Sequence, residues 1–166
     1  MPVQVIAITF SLAVFPTLSE AYAEDDGPRF RALLVRNVVT IGGLTALAAI
    51  VLAVGSGVII RVFLGGGRFD EEDVALTSAL LAAFAISIPI DSLSYPLSRA
   101  LYATHNTIYQ VLASIAGLAT LLALAQVLVP SLGVFAIPLA YAAGGAAKLV
   151  VLTAFLVPRV RRIGTG

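Results

Sequence analysis

Two charged side chains of this sequence stand where charge is most unfavourable. Asp91 lies in Ser87-Ile88-Pro89-Ile90-Asp91-Ser92 and Lys148 in Gly144-Gly145-Ala146-Ala147-Lys148-Leu149, each inside a long apolar run. A charge at the centre of a bilayer costs at least about 2.5 kcal/mol on insertion scales, so such a residue faces a cavity or a partner. Pro89 and Pro96 flank Asp91; each removes a helix hydrogen bond, and a freed carbonyl can line a cavity. By residue count Asp91 lies roughly 10 Å of helix from Ser98, and Lys148 roughly 15 Å from Pro158. A lysine side chain spans that difference. These readings stay open: a polar lining for a substrate or ion path, or else a buried structural ion pair or a lysine snorkelling to the inner membrane surface.

Other chemistry is sparse. His105 is the sole histidine and sits among Thr104, Asn106 and Thr107 with no carboxylate beside it. It reads as a surface turn residue, and one histidine cannot build a multi-histidine metal site. The absence of cysteine excludes disulfides, thiolate metal sites and a cysteine nucleophile. No nucleophile–base pair, phosphate loop or metal spacing is present, so neither an enzyme nor a cofactor-bearing or metal-binding protein is expected. Arg61 and Arg99 fall near the ends of apolar runs and read as anchors that snorkel to the surface. Ser92, Ser94 and Tyr95 read as hydrogen-bonding groups between helices.

The elements that hold these residues are membrane helices. Of 166 residues 60% are hydrophobic and 11% charged, with a mean hydropathy of +1.03. A water-soluble fold of this size cannot hide so much apolar surface. Runs at about 38–64, 74–97, 108–129 and 133–157 are each long enough for a bilayer crossing of about 20 helical residues. They are apolar all round and do not alternate as barrel strands would, so the expected fold is all-α, a polytopic bundle of about five spans. The remaining span, at about 2–16, is short and begins almost at Met1. With no Lys or Arg before Phe15 it lacks the basic start of a secretory signal. It is expected to be a helix whose beginning is missing.

The breaks at Thr17–Asn37, at Ser98–Thr107 and after Pro158 carry Arg29, Arg31, Arg36, Arg99, Arg159, Arg161 and Arg162, whereas the opposite breaks carry Arg61 and Arg68. Seven against two places the first side, and the C-terminus, in the cytoplasm. In the first break Phe30, Leu33 and Leu34 share one face, which predicts a short interfacial helix at about 28–37, with a solvated linker as the other reading. The acidic group Glu24, Asp25 and Asp26 beside it would repel phosphate, so no nucleic acid is expected. Small residues four apart, Ala113 with Gly117, Ala140 with Gly144 and Ala143 with Ala147, suit closely packed helices.

Two stretches carry a family likeness. One is Phe15-Pro16-Thr17-Leu18-Ser19-Glu20, a span closing in Pro-x-Leu-Ser. The other runs from Gly67-Arg68-Phe69-Asp70 through a long span to Arg99-Ala100-Leu101-Tyr102-Ala103. A Gly-x-Phe turn with acidic residues, one span, then Arg-x-x-Tyr-Ala resembles the MurJ/MviN lipid II flippases of the multidrug, oligosaccharidyl-lipid and polysaccharide exporter superfamily. The resemblance covers essentially the whole chain. It implies two rocking six-helix lobes around a central cavity in the bacterial cytoplasmic membrane, a lipid-linked cell-wall precursor as substrate, and a chain that supplies most of the second lobe and partners a missing first one. It also implies that Pro16, Ser19, Gly67, Phe69, Arg99, Tyr102 and Ala103 are structural, the last three as a helix-end turn. The family's substrate-binding cations lie mainly outside the part matched, and Asp91 and Lys148 correspond to no family element. An exporter of a sister family, or a membrane module that transports nothing, are the competing readings.

Overall fold

The computed structural model describes residues 2–66, 69–104 and 107–163. It is all-α: α1 (Pro2–Ala23), α2 (Gly27–Leu64), α3 (Glu71–Ala85), α4 (Ser87–Ala103), α5 (Ile108–Leu132) and α6 (Ala136–Arg162), with one 3-10 turn at Gly133–Phe135. Among the described residues, three helical stretches are long and apolar enough to cross a membrane: Gly27–Leu64, Glu71–Ala103 and Ile108–Arg162. The last is folded on itself. Gly133 takes φ +56°, and Tyr109 on α5 meets Phe155 on α6 with ring centroids 4.3 Å apart, so α5 and α6 form an antiparallel hairpin.

Several boundaries differ from expectation. α1 continues through Pro16 to Ala23; a proline is tolerated in such a helix where neighbours and local adjustment re-satisfy the freed carbonyl. Ser19 is half-buried beside the fully buried Leu18. The interfacial helix expected at 28–37 is not separate, because it forms the opening turns of the 38-residue α2. Phe30, Leu34, Asn37, Ile41, Thr45 and Ala49 make one continuous buried stripe at three- and four-residue spacing, and no helix breaker lies between Arg36 and Val38. The run expected at 74–97 is two helices divided at Ile86. Pro89, with no N–H for the preceding turn, and the Ser87 hydroxyl, which donates to the Phe84 carbonyl at 2.7 Å, favour a break there. α4 then runs to Ala103, past the end expected at Leu97.

The connections are built from polar residues. Asp26 caps α2, accepting from the Arg29 amide at 2.9 Å, and the Arg29 guanidinium reaches Glu24 at 2.6 Å and Glu20 at 3.0 Å. The acidic group at this turn is therefore a capping and pairing device. At the far end of α2, Arg61 pairs with Glu71 at 2.5 Å, which adds an ion pair to its expected anchoring role. Asp70 accepts from the Glu72 and Asp73 amides, each at 3.0 Å, in a capping box with Asp73; acidic residues here also suit the helix dipole. Phe69 bridges to Gly66 in this turn. Gly67, Arg68 and His105 lie outside the described residues.

The main core is at the arginine-rich end of the bundle. Leu18 and Ala21 of α1, Phe30 of α2, Ala100 and Leu101 of α4, and Leu152 and Leu156 of α6 are buried there. α5 and α6 touch through small residues: Ala113, Gly117, Ala140 and Gly144 are all buried. A Cβ on Gly144 would stand 2.7 Å from the Gly117 carbonyl oxygen, and one on Gly117 would stand 2.9 Å from that of Gly144. The expected small-residue contact is thus a backbone-to-backbone approach that glycine alone allows. Outward-facing residues such as Phe63 and Val127 are 80% and 70% exposed, the inverse of a soluble surface.

Candidate functional site

One face of α4 is polar over nearly its whole length. Asp91, Ser94, Tyr95, Ser98, Arg99 and Tyr102 recur at three- and four-residue spacing, so they share a single stripe. With Gln110 of α5 and with Tyr141 and Lys148 of α6 they line a cleft of about 460 Å³. The two charges singled out from the sequence therefore meet in one cavity.

The Tyr141 hydroxyl donates to the Asp91 carboxylate, and the Tyr141 ring leans on Phe84 with centroids 6.2 Å apart. Ion pairs within 4 Å among the described residues join Arg29 to Glu20 and Glu24 and Arg61 to Glu71, and none joins Asp91 to Lys148. Gly145 lets α6 lie against the carboxylate, since a Cβ there would be 3.5 Å from Asp91 Oδ1 and 3.0 Å from Ile90 Cγ2. Lys148 stands beside the glycine crossing, its Cβ 3.1 Å from a Cβ built on Gly117.

Toward the other end of the stripe, the Ser98 hydroxyl lies 2.6 Å from the Ser94 carbonyl and 2.7 Å from Gln110 Oε1, and its one proton serves either acceptor. The Arg99 guanidinium lies 5.9 Å from the Phe15 ring centroid on α1 and 5.8 Å from that of Tyr102, both within cation–π range. The element Arg99, Tyr102 and Ala103, expected as a helix-end turn, is helical in all three residues. Arg99 and Tyr102 face the cleft, and Ala103 is buried in the core. Ser92 and Ser94, expected to bond between helices, have buried hydroxyl oxygens with no partner among the described residues.

Tyr141, Gln110 and the joint role of Ser98, Arg99 and Tyr102 escaped the sequence reading. The signal for the α4 members was present: six polar residues at helical spacing inside an apolar region. Tyr141 is seven residues before Lys148 and so shares its helix face, but nothing in the sequence joins α6 to α4. The lining carries one carboxylate, one guanidinium and one ammonium, a net charge of +1 with Asp91 held by a phenol. This arrangement can hold water and attract an anionic group; it contains no nucleophile activated by a base.

The cleft thus sits in a bundle of helices long and apolar enough to cross a membrane. The family profile described as lipid II flippase MurJ matches residues 1–165. The chain is a multi-pass membrane protein belonging to the MurJ lipid II flippase family, a family of transporters and not of enzymes. It is 28% identical over 133 residues to the probable lipid II flippase MurJ of Bdellovibrio bacteriovorus, a match covering 80% of this chain and 25% of that protein. Its fold matches that of a solved lipid II flippase MurJ in an inward closed conformation, with TM-score 0.79 and 23% identity, over 99% of this chain and 35% of that one. The chain thus spans about a quarter to a third of the length of these proteins.

Proposed function

We propose that the chain forms most of one lobe of a lipid II flippase, which moves a lipid-linked peptidoglycan precursor across the cytoplasmic membrane by rocking against a second lobe. The family match over residues 1–165 carries this reading. Five crossings are assigned, by α1, α2, the α3–α4 pair, α5 and α6, with the arginine-rich end of the bundle in the cytoplasm. Translocation of this kind needs no bond chemistry from the protein, only a cavity reached from each side in turn with polar groups along it.

The α4–α6 cleft is assigned to the lining of that path. Lys148 and Arg99 supply positive charge suited to a phosphate-bearing substrate, and the Tyr141 hydroxyl donates to the Asp91 carboxylate, which balances part of that charge. Complementation tests the function. The complete protein containing this segment should rescue bacterial cells depleted of their lipid II flippase, and these 166 residues alone should not. Failure of a well-expressed complete protein would count against the substrate. Orientation is tested with a membrane-impermeant thiol label: Asp70→Cys should react only from outside and Arg162→Cys only from the cytoplasm, and the reverse pattern would overturn it.

A further inference from the structure

A second cavity, of about 450 Å³, lies between α2 and α6 and differs in character from the polar cleft. Leu34, Val35 and Val38 on α2, Leu97 on α4, and Leu156, Val157 and Val160 on α6 make its wall apolar, and Arg31 and Arg161 line it near the start of α2 and the end of α6. From Arg31 to Val38, and from Arg161 back to Thr153, the groove follows roughly 10–12 Å of each helix. That is close to the depth of one leaflet of a hydrocarbon core about 30 Å thick.

The two arginines are the informative part. Arg29, two residues before Arg31, is held by Glu20 and Glu24. Arg31 and Arg161 make no ion pair or hydrogen bond among the described residues, and no carboxylate lines the groove. An occupant of this groove has to bring negative charge to the arginine end and apolar length along the wall, because two cations covered without a counter-charge are unfavourable in a membrane. A lipid with an anionic headgroup meets both demands, placing its phosphate between the guanidinium groups and an acyl chain along the valine- and leucine-lined wall.

We propose that the α2–α6 groove is a binding site for an anionic membrane phospholipid, distinct from the polar α4–α6 cleft. The site concerns bilayer lipid and does not depend on which substrate the protein carries. Native mass spectrometry of the full chain in a neutral detergent provides the test, comparing phosphatidylglycerol with phosphatidylcholine of the same acyl chains. Phosphatidylglycerol should be retained preferentially at one per chain, and the double variant Arg31→Gln, Arg161→Gln should bind it about thirtyfold more weakly, the loss expected for two surface arginines. Val157→Trp, which fills the groove and leaves both arginines, should also lose the bound lipid, whereas millimolar inorganic phosphate should not displace it. In the unaltered chain, a phosphatidylglycerol carrying a photoreactive acyl chain should crosslink to peptides spanning residues 34–38 and 153–160. Equal retention of the two lipids, displacement by phosphate alone, crosslinks confined to other helices, or a groove occupied by a second copy of the chain would each overturn the proposal.

Discussion

Replacing Gly144 by alanine perturbs the α5–α6 hairpin at its closest point. The added methyl would lie 2.7 Å from the Gly117 carbonyl oxygen and 2.9 Å from Leu121 Cβ, so the clash is with backbone and the base of a side chain, neither of which can rotate away. Restoring an ordinary contact of about 3.4 Å requires the helices to part by about 0.7 Å, and a gap of that order forfeits a quarter to a half of the dispersion energy of the atoms it separates. Overpacking of this kind costs about 1–3 kcal/mol, against a gain of up to about 1 kcal/mol in helix propensity. The expected net loss is about 1–2 kcal/mol. Gly43→Ala is the control: a Cβ there meets nothing within 4 Å, so only the propensity gain applies. Unfolding of the two variants and the parent in mixed micelles, followed by circular dichroism, gives the comparison. Gly144→Ala should unfold more readily than the parent and Gly43→Ala should not. Equal behaviour of the two variants would refute the close-approach argument.

Other residues give sharp expectations. Asp70→Ala removes the side chain that accepts from the Glu72 and Asp73 amides and should destabilise the start of α3 by about 1 kcal/mol, read as faster amide exchange at residues 71–74. Arg29→Ala leaves Glu20 and Glu24 without their shared cation; because all three side chains are substantially exposed, the loss should be at most about 1 kcal/mol and should shrink in high salt. For Asp91→Asn and Lys148→Met in the complete protein, transport should be non-additive in a double-mutant cycle, with the double variant less impaired than the singles predict, since the two charges share one cleft. Strict additivity would show that they act independently.

Much of the fold was legible because lipid imposes a simple rule: a long run with no charge has to be a helix with its backbone bonds satisfied internally. The small-residue pairs were legible for a related reason, since Gly117 and Gly144 have no other evident use in the middle of apolar helices. Helix ends were less so. Pro16 suggested the end of α1, but a membrane helix can absorb a proline, and the boundary is set seven residues later, where Glu24, Asp25 and Asp26 form the polar turn. Asn37 looked like the edge of a loop, yet it lies on the buried stripe of α2, and one polar residue does not stop a helix whose apolar period continues on both sides. At the site, Asp91 and Lys148 stood out by their unfavourable placement. Arg99 and Tyr102 did not, because a short polar segment between two apolar runs reads equally as a loop or as the polar face of a continuing helix. Gln110 and Tyr141 become site residues only through the packing of α5 and α6 on α4, which no local pattern encodes.

The central claim is that the α4–α6 cleft is a wet part of the substrate path. Because the chain contains no cysteine, single cysteines placed in a cysteine-free version of the complete protein report its access to water. Tyr95→Cys, on the polar stripe of α4, should react with a charged, membrane-impermeant thiol reagent, and bound lipid-linked precursor should slow that reaction. Val127→Cys, on the outward-facing side of α5, should stay unreactive in the bilayer. A Tyr95→Cys protein as inert as Val127→Cys would contradict the account.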